Sequence, residues 1–185
     1  LSSSNTNIIN ELSIITSKDM ARSVVKRIAL NVNYKVSGKF RDKILYGTSL
    51  PIKAEFPGLN DNDIVSFDVD FLKDNKIKLS NFTKNGETFS GEVKGTIGYN
   101  IANTPVGRIV VLKSPNYNKQ NTQRTIHVKR SAIDSARDNL LGRYSGELNN
   151  KQGGTIINLT VKDHSAQRGE DILNTIIAIY KENYI

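Results

Sequence analysis

Cysteine and tryptophan are absent from this chain of 185 residues, which has only two histidines and one methionine. The absence of cysteine excludes disulfide bonds, thiol nucleophiles and thiolate metal sites. No stretch reaches the run of about 18 apolar residues that a membrane-spanning helix requires. The chain is nevertheless long enough to bury a core, and we expect residues 1–185 to form a single domain.

The scarcity of histidine limits the chemistry that the sequence can support. His127 and His164 lie on different predicted elements without a second ligand at metal-site spacing, so we expect structural or solvent-exposed roles for both. Asp68 and Asp70 form an Asp-x-Asp pattern on a predicted strand, where a solvated face is the expected role. No serine lies in a nucleophile-elbow pattern. The sequence therefore predicts no catalytic residue, no metal site and no cofactor. A pair of carboxylates in a deep pocket would instead indicate an enzyme.

The net charge of +8 indicates either a simply solvated basic surface or attraction to a polyanion. A nucleic-acid-binding surface would need aromatic residues interleaved with the cations on one exposed face. The apolar residues near the basic cluster of residues 124–143 are instead expected in the core. We therefore expect no nucleic-acid partner, and contact with a glycan or an anionic lipid stays open.

Apolar spacing predicts helices at both ends of the chain and one before the last strands. Two short helices begin the chain, the second capped by Thr16 or Ser17. Ser131 with Asp134 resembles a capping box that opens a third helix. Ser165 caps a long final helix whose apolar residues recur at three- and four-residue spacing. Neither Gly nor Pro ends it, so we expect this helix to continue beyond the last residue.

The middle of the chain alternates between apolar and polar residues, which is typical of strands. Residues 64–72 and 76–82 give the clearest predicted hairpin, and residues 144–148 and 155–161 predict two strands before the last helix. The order of elements predicts an α+β fold, with a mostly antiparallel or mixed β-sheet and helices packed on one face. A small β subdomain at about 61–130 is an alternative for the middle.

Two stretches resemble the periplasmic part of polysaccharide chain-length determinants, the polysaccharide co-polymerases, in particular the Bacteroidetes type fused to a tyrosine kinase. They read NLLGRYSGELNNKQGGTIINLTVKDHSAQRGEDILNTIIAIYKENYI and ELSIITSKDMARSVVKRIALNVNYKVSGKFRDKILYGTSLPIKAEF. The family has a strand ending near an Asp, a short turn, and a helix with an Asn and a late Tyr. Comparable positions here are Asp163, Ala166, Asn174 and Tyr180. Ser165 stands where Pro is common in the family and Gly169 where Ala is common, and residues 61–130 match only loosely.

The resemblance implies a non-catalytic scaffold on the periplasmic side of the bacterial inner membrane, flanked by membrane helices outside this chain. Such domains assemble side by side as homo-oligomers and set the length of O-antigen, capsule or exopolysaccharide. The implied partners are a polysaccharide polymerase and an outer-membrane export protein. We expect the first two helices and the last one to make the oligomer contacts, through Lys18, Arg22, Lys26, Arg27, Asn174 and Tyr180. The alternative is a periplasmic carbohydrate- or lipid-binding module, with Tyr99 and Tyr117 exposed in a groove.

Overall fold

The computed structural model describes residues 2–185, and the side chains of residues 6–185. Within that range the helices are α1 (Ser2–Ile15), α2 (Lys18–Arg27), α3 (Ile133–Arg143) and α4 (Ala166–Tyr184). The strands are β1 (Val32–Val36), β2 (Lys43–Leu45), β3 (Ile52–Glu55), β4 (Val65–Phe71), β5 (Lys76–Lys84), β6 (Glu87–Phe89), β7 (Val93–Thr96), β8 (Asn100–Ile101), β9 (Ile109–Lys113), β10 (Ile126–Arg130), β11 (Tyr144–Lys151) and β12 (Gly154–Val161).

The chain divides into two compact units. The β unit is the continuous segment from Asn31 to Ala132, and the terminal unit combines the residues up to Leu30 with those from Ile133 onward. Each unit has its own cluster of buried apolar side chains. The expectation of a single domain over residues 1–185 stays a prediction.

The predicted α+β class, with helices on one face of a mostly antiparallel or mixed sheet, is wrong. The described residues form a mixed α/β chain that is richer in strand than in helix, about 35% against 29%. Its strands divide among three antiparallel sheets, and the largest sheet lies in the β unit, whose described helix is only the 3₁₀ turn Gly47–Ser49. Periodicity identifies an element and its apolar face, but it does not say which element covers that face.

The β unit consists of two antiparallel sheets around one core. Seven strands form the larger sheet in the order β2-β1-β10-β4-β5-β6, with β7 also paired to β5, and β3-β9-β8 form the smaller one. The predicted hairpin of β4 and β5 is confirmed. Phe67 of the larger sheet packs edge-on against Phe56, just after β3, with ring centroids 6.0 Å apart. The buried hydroxyl of Tyr34 accepts a hydrogen bond of 2.8 Å from the Ala54 amide on β3.

Alternation along β4 separates a buried face from a polar one. Val65, Phe67 and Val69 are almost fully buried, whereas the intervening Ser66 and Asp68 are half-buried. The sequence prediction that Asp68 and its partner in the Asp-x-Asp pattern lie opposite the apolar residues is confirmed. The larger sheet therefore has one apolar core face and one polar face.

The two ends of the β unit lie beside each other. The Ser131 amide donates a hydrogen bond of 2.7 Å to the Asn31 carbonyl, and the Asn31 side chain donates one of 3.2 Å to the Ser131 carbonyl. Asn31 is buried, so its amide needs this partner. The paired strands β1 and β10 continue directly from these two residues.

The terminal unit packs its helices with the hairpin of β11 and β12. Val24 and Val25 of α2 and Ile172 and Ile176 of α4 are almost completely buried in one core. The caps predicted at Ser17 and Ser165 are confirmed: Ser17 accepts from the Met20 amide, and Ser165 accepts from the Arg168 amide. These caps satisfy amides that the first helical turns leave without an intrahelical acceptor.

Asp163 anchors the start of α4. The Asp163 side chain is only 2% exposed, and its carboxylate accepts hydrogen bonds from Arg143 at 2.9 Å and from Arg168 at 2.8 Å. It also accepts one from the Ser165 amide at 2.8 Å. Burial alone would raise its pKa, but these three hydrogen bonds outweigh burial and lower the pKa below its usual value.

None of the helices formed by residues 2–185 is both long enough and apolar enough to cross a bilayer.

Candidate functional site

A cleft of about 490 Å³ opens on the polar face of the larger sheet in the β unit. This volume falls within the range of small-molecule sites, about 300–1,000 Å³. Most of its lining residues are polar, and they come from β1, β10, β4 and β5, together with Ile44 of β2 and Ser131 after β10. The polar lining residues are Asn33, Lys35, Ser66, Asp68, Asn81, His127, Lys129 and Ser131.

Strand register brings distant polar residues into one row across this face. Lys35 on β1 lies opposite His127 on β10, and His127 lies opposite Asp68 on β4. Ser37 follows β1 at the next position on the same side, because side chains two residues apart share a face. The antiparallel pairing thus places a hydroxyl, an imidazole and a carboxylate side by side.

These three side chains form one continuous chain of hydrogen bonds. His127 Nδ1 lies 2.6 Å from Asp68 Oδ1, and His127 Nε2 lies 3.0 Å from Ser37 Oγ. The Asn81 amide donates to the other carboxylate oxygen, Asp68 Oδ2, at 2.7 Å. An ionised carboxylate only accepts hydrogen bonds, so Nδ1 carries the proton in the neutral imidazole. Nε2 is then the acceptor, and the Ser37 hydroxyl donates to it.

A β-bulge directs Asn81 toward Asp68. The register of β4 and β5 shifts between Ser66 and Asp68, and Asn81 adopts a positive φ of 55°. An extra residue on one strand turns a side chain away from its regular position, and such bulges are frequent beside active sites. The bulge therefore fixes the carboxylate from the side opposite the imidazole.

The loop after β1 fixes the backbone of Ser37. The Arg124 guanidinium donates a hydrogen bond to the Ser37 carbonyl. A Cβ atom at Gly38 would collide with the backbone carbonyl of Arg41, so the loop can fold back here only with glycine. Ser37 itself is exposed and does not line the cleft. It adjoins the cleft through its hydrogen bond to His127.

The charge of the cleft is set by two lysines and one carboxylate. Lys129 lies opposite Ser66, Lys35 lies in the same row as His127 and Asp68, and both lysines are exposed. The Asp68 carboxylate, in contrast, is already bonded to His127 and Asn81. The cleft therefore presents cations to a ligand. Across the described residues, no three His, Asp or Glu side chains come together as a metal site would require.

The cations predicted as oligomer contacts lie along α2 in the terminal unit. Arg22 pairs with Asp134 of α3 at 2.7 Å, and Arg27 forms two hydrogen bonds of 2.9 and 2.8 Å with Glu182 of α4. The Arg27 hydrogen bonds lower the pKa of the Glu182 carboxyl. Lys18 and Lys26 are exposed on the same helix. Arg22 and Arg27 thus join the helices of this unit, and the role of all four cations in assembly stays a prediction.

The other two predicted contact residues lie on α4. Asn174 is exposed. Tyr180 is half-buried and stacks on Tyr184 with ring centroids 5.4 Å apart. Burial and the neighbouring Glu11 carboxylate, to which Tyr180 is hydrogen-bonded, raise its pKa. Tyr180 therefore links α1 to α4 within the unit, and its role in oligomer contacts also stays a prediction.

The two tyrosines expected in a glycan-binding groove have different surroundings. Tyr99 is 70% exposed. Tyr117 is half-buried, packs edge-on against Phe71, and has the Lys113 ammonium 4.5 Å from its ring centroid. Neither lines the cleft described above.

The row of Ser37, His127 and Asp68 was missed by the sequence analysis because no local motif encodes it. His127 lies 59 residues from Asp68 and 90 from Ser37 in the chain. The sequence does show that the three residues lie on the polar faces of their strands. This places them together only once strand order and register are known.

No protein-family model matches this chain, and no curated protein matches it either.

Proposed function

We propose that this chain is a periplasmic scaffold domain of an inner-membrane polysaccharide co-polymerase. In this role it regulates the chain length and export of a surface polysaccharide by forming homo-oligomers. Chain-length control by assembly requires no catalytic residue in the contacts between copies. The proposal begins from the two stretches that resemble the family, residues 11–56 and 139–185.

One structural observation carries the proposal. The N-terminal helices and the C-terminal helix, which lie at opposite ends of the chain, belong to the same compact unit. They share one core, in which Val24 of α2 and Ile176 of α4 are both buried. Membrane helices on both sides of a domain would hold its two ends near the same bilayer, and two ends that belong to one unit are compatible with this.

The surface of α2 supports lateral contact with other copies. Arg22 and Arg27 pair with α3 and α4, so they fix the orientation of the helix. Lys18 and Lys26 remain exposed along it, as does Asn174 on α4. We assign these three exposed side chains the direct contacts and the two arginines a supporting role.

The test uses the full-length protein in its own membrane. Deletion of the gene should remove the modal length of the surface polysaccharide on a gel, and the wild-type gene should restore it. The variant with Lys18→Glu and Lys26→Glu should restore it poorly and give smaller oligomers by cross-linking and native mass measurement. Lys119→Glu, an exposed lysine of the β unit, is the matched control and should behave as wild type. Unchanged polysaccharide length after deletion would refute the function.

A periplasmic carbohydrate-binding module is the second candidate, and the polar cleft of the β unit favours it. The cleft offers amide, hydroxyl and ammonium groups that hydrogen-bond sugars. No tyrosine ring lies on its polar face, whereas the expected groove would have supplied Tyr99 and Tyr117. Calorimetric titration of the chain with the polysaccharide of the same bacterium tests it, and binding that Asn33→Ala abolishes is the expected result.

A further inference from the structure

We propose that Ser37, His127 and Asp68 form a catalytic triad that hydrolyses esters beside the cleft of the β unit. The hydroxyl, the imidazole and the carboxylate are joined in the order that nucleophilic acyl transfer requires. Their separations, 3.0 Å and 2.6 Å, are hydrogen-bond distances. This activity goes beyond the proposed scaffold role and does not depend on it.

Each side chain has a definite role in the reaction. As the Ser37 oxygen forms a bond to the ester carbonyl carbon, its proton passes to His127 Nε2. The tetrahedral intermediate collapses, the carbon–oxygen bond to the alcohol breaks, and the alcohol oxygen takes the proton from Nε2. Water then attacks the acyl-serine with His127 again as base, which releases the carboxylic acid and restores Ser37. Asp68 stabilises the imidazolium that forms in each half of the reaction.

The surroundings hold the imidazole and the carboxylate in place before any substrate binds. Asp68 is fixed between His127 and Asn81, which leaves Nε2 as the only imidazole nitrogen able to accept the serine proton. Asp68 and Asn81 are positioning residues, because they act through His127. Arg124 and the glycine-dependent bend at Gly38 fix the backbone immediately after the nucleophile.

Lys35 provides the positive charge that the developing oxyanion needs. It lies directly opposite His127 on β1, two residues before Ser37, and lines the cleft. A cation near the position where negative charge develops lowers the barrier to tetrahedral intermediate formation. Lys35 is therefore the residue we assign to the oxyanion.

The cleft defines the class of substrate. Its volume of about 490 Å³ fits a small molecule or one residue of a polymer. Asn33, Ser66 and Lys129 offer hydrogen bonds to hydroxyl or acidic groups, and a cleft of this volume leaves no room for a long acyl chain beside a sugar. We infer an ester of a short carboxylic acid with a polyhydroxylated alcohol, that is, an O-acyl group on a sugar.

A fluorescent fluorophosphonate, which reacts with activated serines, tests the triad on the purified chain. The wild-type protein should be labelled, and peptide mass mapping should place the label on Ser37. Ser37→Ala and His127→Ala should abolish labelling. Ser90→Ala removes an exposed serine of the β unit that does not line the cleft, and should label as wild type. An unlabelled wild-type protein, or label on another serine, would overturn the proposal.

Hydrolysis of p-nitrophenyl acetate gives a second, independent readout. Ser37→Ala should lower kcat/KM by at least about 100-fold. Because Ser37 is exposed, this variant should keep the wild-type melting temperature, which separates lost chemistry from lost folding. Equal rates for the wild-type protein and Ser37→Ala would show that the three side chains are only a surface hydrogen-bond network.

Asn81 provides the test of positioning. Asn81→Gly, which adopts the positive φ of the bulge without strain, frees Asp68 Oδ2 but leaves the serine and imidazole in place, so kcat should fall about 10-fold while KM stays unchanged. If Asn81 had only a structural role, the variant would have a changed melting temperature but would not combine a lowered kcat with an unchanged KM. Loss of scaffold function would leave the labelling of Ser37 unaffected, so the two proposals fail separately.

Discussion

The Asp163 Oδ2 atom lies 2.8 Å from Nε of Arg168, five residues later in the chain and in the first turn of α4. The same oxygen accepts from Arg143, at the end of α3. One buried carboxylate thus connects the end of one helix to the beginning of another. We therefore expect both the stability of the terminal unit and its dependence on acid to rest on Asp163.

Replacing Asp163 should destabilise the terminal unit strongly. Asp163→Ala leaves Arg143 and Arg168 without their buried anion, and removing one partner of a buried ion pair costs about 3 kcal/mol or more. Urea unfolding followed by circular dichroism, with amide exchange in α4, measures the loss. Asp138→Ala is the control, because its carboxylate pairs with Arg137 at an exposed site and should change little. Equal effects would contradict the role assigned to Asp163.

Asp163 should also make stability depend on acid. Its pKa is lower in the folded chain than the value of about 3.9 for an unfolded Asp, so its contribution is present above that value and is lost as pH falls through the folded pKa. The difference in unfolding free energy between wild type and Asp163→Asn should therefore shrink below about pH 4. A difference that stays constant down to pH 2 would count against the lowered pKa.

Tyr34 should make the β unit sensitive to alkali. Burial, outweighing its hydrogen bond with the Ala54 amide, raises the pKa of the Tyr34 phenol to about 12. Because the folded pKa exceeds the unfolded value of about 10, the contribution is complete below pH 10 and disappears as pH rises toward 12. The expected loss is about 2–3 kcal/mol, measured by urea unfolding between pH 9 and pH 12.

Tyr34→Phe is the variant that isolates this effect. It leaves the Ala54 amide without its acceptor and should lose about 1–3 kcal/mol at pH 7. In return, its stability should fall less steeply above pH 10. Tyr99→Phe, at an exposed tyrosine, should follow the wild-type profile. Parallel profiles for all three proteins would mean that Tyr34 does not titrate as the buried group described here.

The ion pair of Arg27 and Glu182 should tolerate charge reversal only when both residues are exchanged together. Arg27→Glu places two carboxylates together and should lower the unfolding midpoint, whereas adding Glu182→Arg should restore most of it. If Arg27 only supports α2, the double variant should also restore the oligomer size of the full-length protein. A double variant that folds normally but does not assemble would instead make Arg27 a direct contact between copies.

The core of the β unit depends on Phe67. This side chain is 1% exposed and lies between the rings of Phe56 and Phe82. Phe67→Ala should cost about 3–5 kcal/mol because the cavity it leaves can collapse only partly. Phe40→Ala, at a ring that is 92% exposed, should change stability by less than about 0.5 kcal/mol. Thermal unfolding of both variants measures the difference.

Local features of the fold were predictable from sequence, because they depend on neighbouring residues. The alternation of β4, the caps at Ser17 and Ser165, and the turn at Asn85 and Gly86 between β5 and β6 all follow from side-chain period and backbone preference. The assignment of each element to a sheet was not predictable. An amphipathic helix packs equally well on a hairpin or on a large sheet, and the sequence does not distinguish them.

The candidate site was less accessible to sequence analysis than the fold. The sequence placed Asp68 on the polar face of a strand and left His127 as an isolated imidazole. The contact between them requires β10 to lie between β1 and β4 in one particular register. Shifting that register by one residue would turn His127 to the core face. The contact of Asn81 with Asp68 is still harder to predict, because the direction of the Asn81 side chain depends on a β-bulge.

The hydrogen bonds between Asn31 and Ser131 have an evolutionary consequence. They hold the two ends of a segment of about one hundred residues side by side, so that a short turn, or another domain with adjacent ends, would fit the same gap. Related proteins should therefore differ most in this segment, gaining, losing or exchanging it as a whole, while their terminal helices change slowly. Length variation among homologues should accordingly be concentrated between positions 31 and 131.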